Sequence, residues 1–254
     1  MRRCLMKEEI FAIPLWDAFR KDTECPLCEI QMDVEKRYIE SVLDGETVMD
    51  WEFNNKLKNY TFCEKHFRKL FEYPDKLGLA LIVEKLLTYE MKYLEQIKRE
   101  SKPDCSFRFQ IIRKARDKMF RKRNSNERNL STDKQCYLCK HIEETMSVYT
   151  ETLINLWEKN KEFRTLYESS KGYCHRHFYS VINLSNKLVD KLAKEKFLDL
   201  SFKIQQENMR RLNEELKWFI KKFDYRFASE PWKTSKDSLS RSIIKITGNF
   251  TDRL

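Results

Sequence analysis

Eight residues of this chain have the types and spacing of metal ligands. They form four short pairs: Cys25 with Cys28, Cys63 with His66, Cys136 with Cys139, and Cys174 with His177. Two soft donors three residues apart lie on one side of a helical turn, or on one tight knuckle, so both can reach the same ion. A Cys-x-x-Cys joined to a Cys-x-x-His supplies three sulfurs and one imidazole, enough to close a tetrahedral zinc shell. A closed shell keeps no position for water or substrate, so its role is structural rather than catalytic. Three thiolates against a divalent ion leave one negative charge, which the neighbouring Lys65, Arg68 and Arg176 would soften.

The pairs repeat. In each copy 34 residues separate the Cys-x-x-Cys from the Cys-x-x-His, and every ligand recurs 111 positions later. This predicts two sites with two zinc ions per chain: Cys25, Cys28, Cys63 and His66 at the first, and Cys136, Cys139, Cys174 and His177 at the second. Ligation of an iron–sulfur cluster by the same residues stands as an alternative. A redox Cys-x-x-Cys expects a strand–helix–strand setting, which is missing here. His175 has Glu64 as its counterpart, so His177, which matches His66, is the ligand of choice. His141 matches Ile30 and reads as a helix-surface residue. Cys4 and Cys105 belong to neither motif and read as free thiols.

The elements that must hold these residues are helical. Among 254 residues there are only 4 Gly and 5 Pro, 41% are hydrophobic and 35% charged, a composition suited to long solvated helices. After Cys28, apolar residues at Ile30, Val34, Tyr38 and Val42 step by four until Asp44-Gly45. Trp51, Phe53 and Leu57 follow, and then Cys63. A long helix is predicted from Tyr73-Pro74-Asp75 to about Glu100. Its stripe is Leu79, Ile82, Leu86, Tyr89, Tyr93 and Ile97, widened by Ala80, Val83, Leu87 and Leu94. The second copy repeats the plan with Ile142, Met146, Tyr149, Leu153 and Leu156. A second long helix runs from about Leu184 to Lys222. From Phe202 its spacing is heptad-like (Phe202, Gln205, Met209, Leu212, Leu216, Phe219, Phe223), fitting packing on the first long helix or a homodimer seam over 202–223. Ser235 to Thr247 reads as a capped helix that docks through Leu239, Ile243 and Ile246. Trp16 and Phe19, ahead of Cys25, read as packing over the first site.

The expected fold is therefore all-α: two quasi-repeated modules, each stapled by its own Cys₃His zinc site, with long antiparallel helices. The predicted boundaries are 1–100 for the first module, 101–135 for a basic linker, 136–223 for the second module and 224–254 for a C-terminal docking segment. The net charge is +10. Residues 101–135 carry eleven basic side chains against four acidic ones, so most of the excess sits there. No apolar run reaches membrane-span length, and the first residues lack a signal-peptide core. Thiols held by metal point to the reducing cytoplasm.

Several segments resemble an uncharacterised bacterial family, a domain of unknown function. They are Ile13-Pro14-Leu15-Trp16-Asp17-Ala18-Phe19, Cys25-Pro26-Leu27-Cys28, Phe62-Cys63-Glu64-Lys65-His66-Phe67, Leu77-Gly78-Leu79-Ala80-Leu81, and Asp224-Tyr225-Arg226 with Glu230-Pro231-Trp232. The likeness spans nearly the whole chain. It implies one evolutionary unit of bacterial cytoplasmic origin and carries no activity, substrate or catalytic residue.

Three functions follow from these residues. The first is a non-enzymatic zinc-stapled scaffold that binds a macromolecule, protein or nucleic acid. For nucleic acid the candidate contacts are Arg108, Arg113, Lys114, Arg116, Lys118, Arg121, Lys122 and Arg123. The second is a zinc-dependent enzyme, with Glu64 and His175 as proton carriers beside a ligand. Against it, the chain has no Gly-rich phosphate loop, no nucleophile motif and no His-Glu-x-x-His. The third is a thiol redox or metal sensor, open in principle to any thiolate zinc site.

Overall fold

The computed structural model describes residues 2–100, 134–188 and 190–248. These are almost wholly helical. The helices are α1 (Arg2–Arg20), α2 (Pro26–Leu43), α3 (Gly45–Met49), α4 (Trp51–Lys56), α5 (Glu64–Glu72), α6 (Lys76–Glu100), α7 (Tyr137–Lys159), α8 (Lys161–Glu168), α9 (His175–Leu184), α10 (Lys191–Lys221) and α11 (Ser238–Thr247). Two strands of two residues each, β1 (Tyr60–Thr61) and β2 (Gln135–Cys136), pair in parallel with Tyr60 opposite Gln135 and Thr61 opposite Cys136.

The described chain divides into two compact units. One holds residues up to Lys36 and those from Ile142 onward, and the other holds Arg37–His141. The expected breaks fell near 100 and 136, in the polar stretch between the copies. The observed breaks fall inside α2 and α7, which each begin in one unit and end in the other.

The first unit is organised on aromatic rings. Trp16 and Phe19 of α1 both meet Phe163 of α8, with centroids 5.1 and 5.2 Å apart. Phe19 continues to Tyr167 and Tyr173, and Tyr167 to Phe197 of α10. Phe163, Tyr167 and Phe197 are buried almost completely. The Tyr167 hydroxyl shares a 2.6 Å hydrogen bond with Ser201 Oγ, so its polar end is satisfied. Asn160 caps α8 and Asp190 caps α10, each accepting from a backbone N–H of the first turn. The second long helix therefore starts at Lys191, after a 3₁₀ turn at Ser185–Lys187, later than the apolar period suggested.

The heptad stripe of α10 splits. Gln205 and Leu212 are buried, while Phe202, Met209 and Phe223 are exposed. The buried face is Phe197, Ser201, Ile204, Gln205 and Leu212, and within its unit α10 packs mainly on α11. The docking face of α11 is turned from the expected one, and of the expected set only Ile243 is even half-buried. Leu239 and Ile246 are exposed, whereas Ser238 and Lys245 are buried and Arg241 is half-buried. Ser238, Arg241 and Lys245 recur at helical spacing as regularly as the apolar set does. Here a buried carboxylate, Glu24, decides which face turns inward.

The buried residues of the second unit include Ile39, Val42 and Leu43 of α2, Val48, Phe53, Leu57, Phe62 and Leu70, and Leu79 and Ile82 of α6. Asp44 and Asp50 cap α3 and α4 through their carboxylates. α6 begins at Lys76, close to its predicted start. Its added apolar row is not buried: Ala80, Leu87 and Leu94 are exposed and Val83 is half-buried. No helix among the described residues is long and apolar enough to cross a membrane.

Candidate metal centres

Each of the four ligand pairs sits at the start of a helix. Cys63 and Cys174 occupy the N-cap positions of α5 and α9 in extended backbone, with φ, ψ of −74°, 163° and −68°, 160°. Neither thiol caps its helix. His66 and His177 follow in the first turn, on the same face as the Cys before them. Cys25 immediately precedes α2, whose first residue is Pro26, a position where proline's missing N–H costs nothing. Cys136 likewise precedes α7, with Cys139 in its first turn. A helix N-terminus carries partial positive charge, which favours thiolates placed there.

The structure gathers these eight residues into two groups of four, and it crosses the copies in doing so. Site A is Cys25, Cys28, Cys174 and His177; site B is Cys63, His66, Cys136 and Cys139. The expectation that each copy closes its own site is therefore corrected. Each site takes a Cys-x-x-Cys from one copy and the Cys-x-x-His from the other. Site A lies wholly within the first unit and site B wholly within the second.

At site A, His177 Nδ1 lies 3.4 Å from Cys25 Sγ, 3.4 Å from Cys28 Sγ and 3.3 Å from Cys174 Sγ. Cys28 and Cys174 Sγ are 3.6 Å apart. At site B, His66 Nδ1 lies 3.2 Å from Cys63 Sγ, 3.2 Å from Cys136 Sγ and 3.3 Å from Cys139 Sγ, with Cys63 and Cys139 Sγ 3.8 Å apart. A tetrahedron with zinc bond lengths has sulfur–sulfur edges of about 3.8 Å and sulfur–nitrogen edges of about 3.5 Å. Both donor sets match it to within a few tenths of an ångström. The sulfurs are also too far apart for disulfides, whose bond is about 2.05 Å, and all six cysteines are free thiols.

The thiols of each group share charge unevenly. At site A, burial pushes Cys25 up to about 12. Cys28 is raised too, first by its hydrogen bond to Cys174. Cys174 is lowered, because the Cys25 and Cys28 thiols donate to its thiolate. At site B, burial pushes Cys139 up to about 12. Burial also resists ionisation of Cys136, but His66 and the backbone N–H groups of Cys139 and Cys63 pull it down to about 6. In the protein's own field, then, Cys174 at site A and Cys136 at site B are favoured as thiolates, while Cys25, Cys28 and Cys139 are held toward the protonated thiol. A divalent cation would displace those protons and turn every donor toward itself.

The surroundings of the two sites differ. Site A is buried at all four ligands. Gln205 of α10 clamps the residue before Cys174 from both sides: Tyr173 N–H donates to Gln205 Oε1 and Gln205 Nε2 donates to Tyr173 O, both at 2.9 Å. Gly172, at φ +78°, permits this approach, since a Cβ there would stand 2.6 Å from Gln205 Oε1. Lys245 of α11 donates to the carbonyls of Glu24 and Lys171, so its ammonium ties the strand entering Cys25 to the one entering Cys174. Burial pushes that ammonium down to about 8, against the pull of Glu24. Glu24 itself accepts a two-pronged 2.7 Å contact from Arg211 and a 3.3 Å contact from Arg241. Arg241 also pairs with Glu215 at 2.6 Å. Finally, Gly248 ends α11 at φ +88° beside the sulfurs: a Cβ on it would lie 3.5 Å from Cys174 Sγ and 3.8 Å from Cys28 Sγ.

At site B the equivalent backbone segments are joined directly, by the β1–β2 ladder. Tyr137 lies edge-on to Phe53, Tyr60 and His141, and Lys140 reaches the Tyr60 hydroxyl. Only His66 is buried; Cys63 and Cys136 are half-buried and Cys139 is exposed.

The remaining sequence candidates fall elsewhere. His175 is exposed and packs on Tyr179; Glu64 is exposed and pairs with Arg68 at 2.8 Å. Neither joins a site. His141 stacks on Tyr38 rather than binding at site B. The Cys4 side chain and Cys105 lie outside what the structure describes, as does the whole basic set from Arg108 to Arg123. Sequence reasoning missed Glu24, Gln205, Arg211, Lys245 and Gly248 at site A. Position 24, directly before a ligand, was the single local clue.

The model of one family matches residues 6–253 of the chain. The chain belongs to DUF6062, a family of unknown function. No curated protein and no solved structure matches this DUF6062 chain.

Proposed function

We propose that this DUF6062 protein is a non-enzymatic, zinc-stapled helical scaffold that presents its surface to a macromolecular partner and carries two structural zinc ions. The carrying observation is that each site offers four protein donors at the edge lengths of a zinc tetrahedron. With four protein ligands the shell is complete, and zinc would supply cross-linking between helix starts rather than an activated water. Three thiols and an imidazole suit zinc better than the hard cations that prefer oxygen. Thiol ligation at six cysteines fits a reducing compartment, the cytoplasm.

Metal analysis of the purified protein tests this. Two zinc per chain are expected, falling to one in a Cys28→Ser variant and to one in a Cys139→Ser variant. Iron with acid-labile sulfide in place of zinc, or no bound metal, would overturn the proposal.

A further inference from the structure

We infer that site B is an oxidation site as well as a staple: a hydroperoxide joins Cys63 to Cys139 as a disulfide and frees the zinc, while site A is spared. This rests on the metal-centre reading and deepens it. Sulfur proximity does not distinguish the sites, because each has a close pair, 3.6 Å at site A and 3.8 Å at site B. Access does. Cys139 is exposed and Cys63 is half-buried, whereas Cys25, Cys28 and Cys174 are all buried. Site A is overlain by Gly248 and tied shut by Lys245.

The choice of pair follows from the hydrogen bonds. All three sulfurs lie 3.2–3.3 Å from His66 Nδ1, but Cys136 Sγ also accepts the backbone N–H of Cys139 at 3.5 Å, which steadies it as a ligand. Cys63 and Cys139 instead sit on different helices, at the N-cap of α5 and in the first turn of α7, and face each other. Their sulfurs need to close by roughly 1.8 Å to reach bonding distance.

The chemistry balances with the peroxide as oxidant. In the zinc-loaded protein the exposed Cys139 has given up its proton to metal binding; its sulfur attacks one peroxide oxygen, the O–O bond breaks, and hydroxide leaves, so that Cys139 becomes a sulfenic acid. Cys63 thiolate then attacks that sulfur and expels a second hydroxide. Two electrons pass from two thiolates to one peroxide. Zinc, left with Cys136 and His66, departs. The new S–S bond spans the same two helix starts that the ion spanned, so the second unit stays fastened while its charge and metal content change.

The test uses the full-length, zinc-loaded protein and hydrogen peroxide at one to a few equivalents. Released zinc is followed with a chromogenic chelator and disulfides are mapped by mass spectrometry. The expected result is one zinc released at least about tenfold faster than the other, a Cys63–Cys139 cross-link, and recovery of two zinc after a dithiol reductant and added zinc. A Cys105→Ser variant should give the same link. Loss of both ions together, linkage first among Cys25, Cys28 and Cys174, or release without a Cys63–Cys139 bond would each overturn the inference. Absence of zinc before any peroxide is added would instead strike at the metal-centre reading itself.

Discussion

Sites A and B use the same four donor types from the same kinds of helix start, yet one is sealed and the other faces solvent. At site A the two incoming backbone segments are bridged by the Lys245 ammonium, clamped by Gln205 and covered by Gly248. At site B a two-residue ladder joins the corresponding segments and Cys139 stays exposed. The donor types alone therefore do not decide how open such a cluster is to solvent. What differs is the element laid over it, and site A has α11 where site B has none among the described residues.

The sharpest way to break this comparison is to remove one sulfur from each site. Cys174→Ser should unfold the first unit or lower the Tm by roughly 15 °C or more, since a structural zinc can carry about 10 kcal/mol of folding free energy. Cys63→Ser should cost several degrees less, because site B is partly solvated. Equal losses by calorimetry would mean that burial does not separate the two. Next in size, Glu24→Gln leaves Arg211, Arg241 and Lys245 facing a neutral amide. Urea unfolding should show a loss of about 3–5 kcal/mol, with site A zinc released faster and site B unchanged.

Gln205→Ala strips both hydrogen bonds from the buried backbone of Tyr173, at a cost of about 2–4 kcal/mol. It should speed chelator removal of one zinc and leave the other alone. Gly248→Ala is milder. Its Cβ would make only ordinary contact with Cys174 Sγ, but the backbone at φ +88°, ψ −150° is one that alanine resists, so about 1–3 kcal/mol is expected. The smallest effect belongs to Arg68→Ala beside site B. Its ion pair with Glu64 is exposed at both ends, and a change above about 0.5 kcal/mol would contradict the view that this surface pair contributes little.

Much of this was legible in the residues. The helix after Cys28 ends at Leu43, just before Asp44-Gly45 as the turn residues required. The Cys-x-x-Cys and Cys-x-x-His pairs fall on helix starts, where three-residue spacing turns both donors one way. The pairing was not legible, because equal spacing in both copies is compatible with closure within a copy or across copies. Unit membership breaks the tie: α2 leaves the first unit after Lys36, so Cys28 and Cys63 fall in different units. α7 does the same for Cys139. The inward face of α11 escaped for a different reason: Ser238, Arg241 and Lys245 share the helical period with Leu239 and Ile246, and only the buried Glu24 selects between them.

The crossed pairing also sets a timetable for biosynthesis. Cys28 must wait 146 residues for Cys174, about 7–30 seconds on a ribosome adding about 5–20 residues per second. Cys63 waits only 76 for Cys139. The more open centre thus has all its donors first, and the sealed one gains its last donor, His177, only in the first turn of α9, with its cover of α11 arriving last.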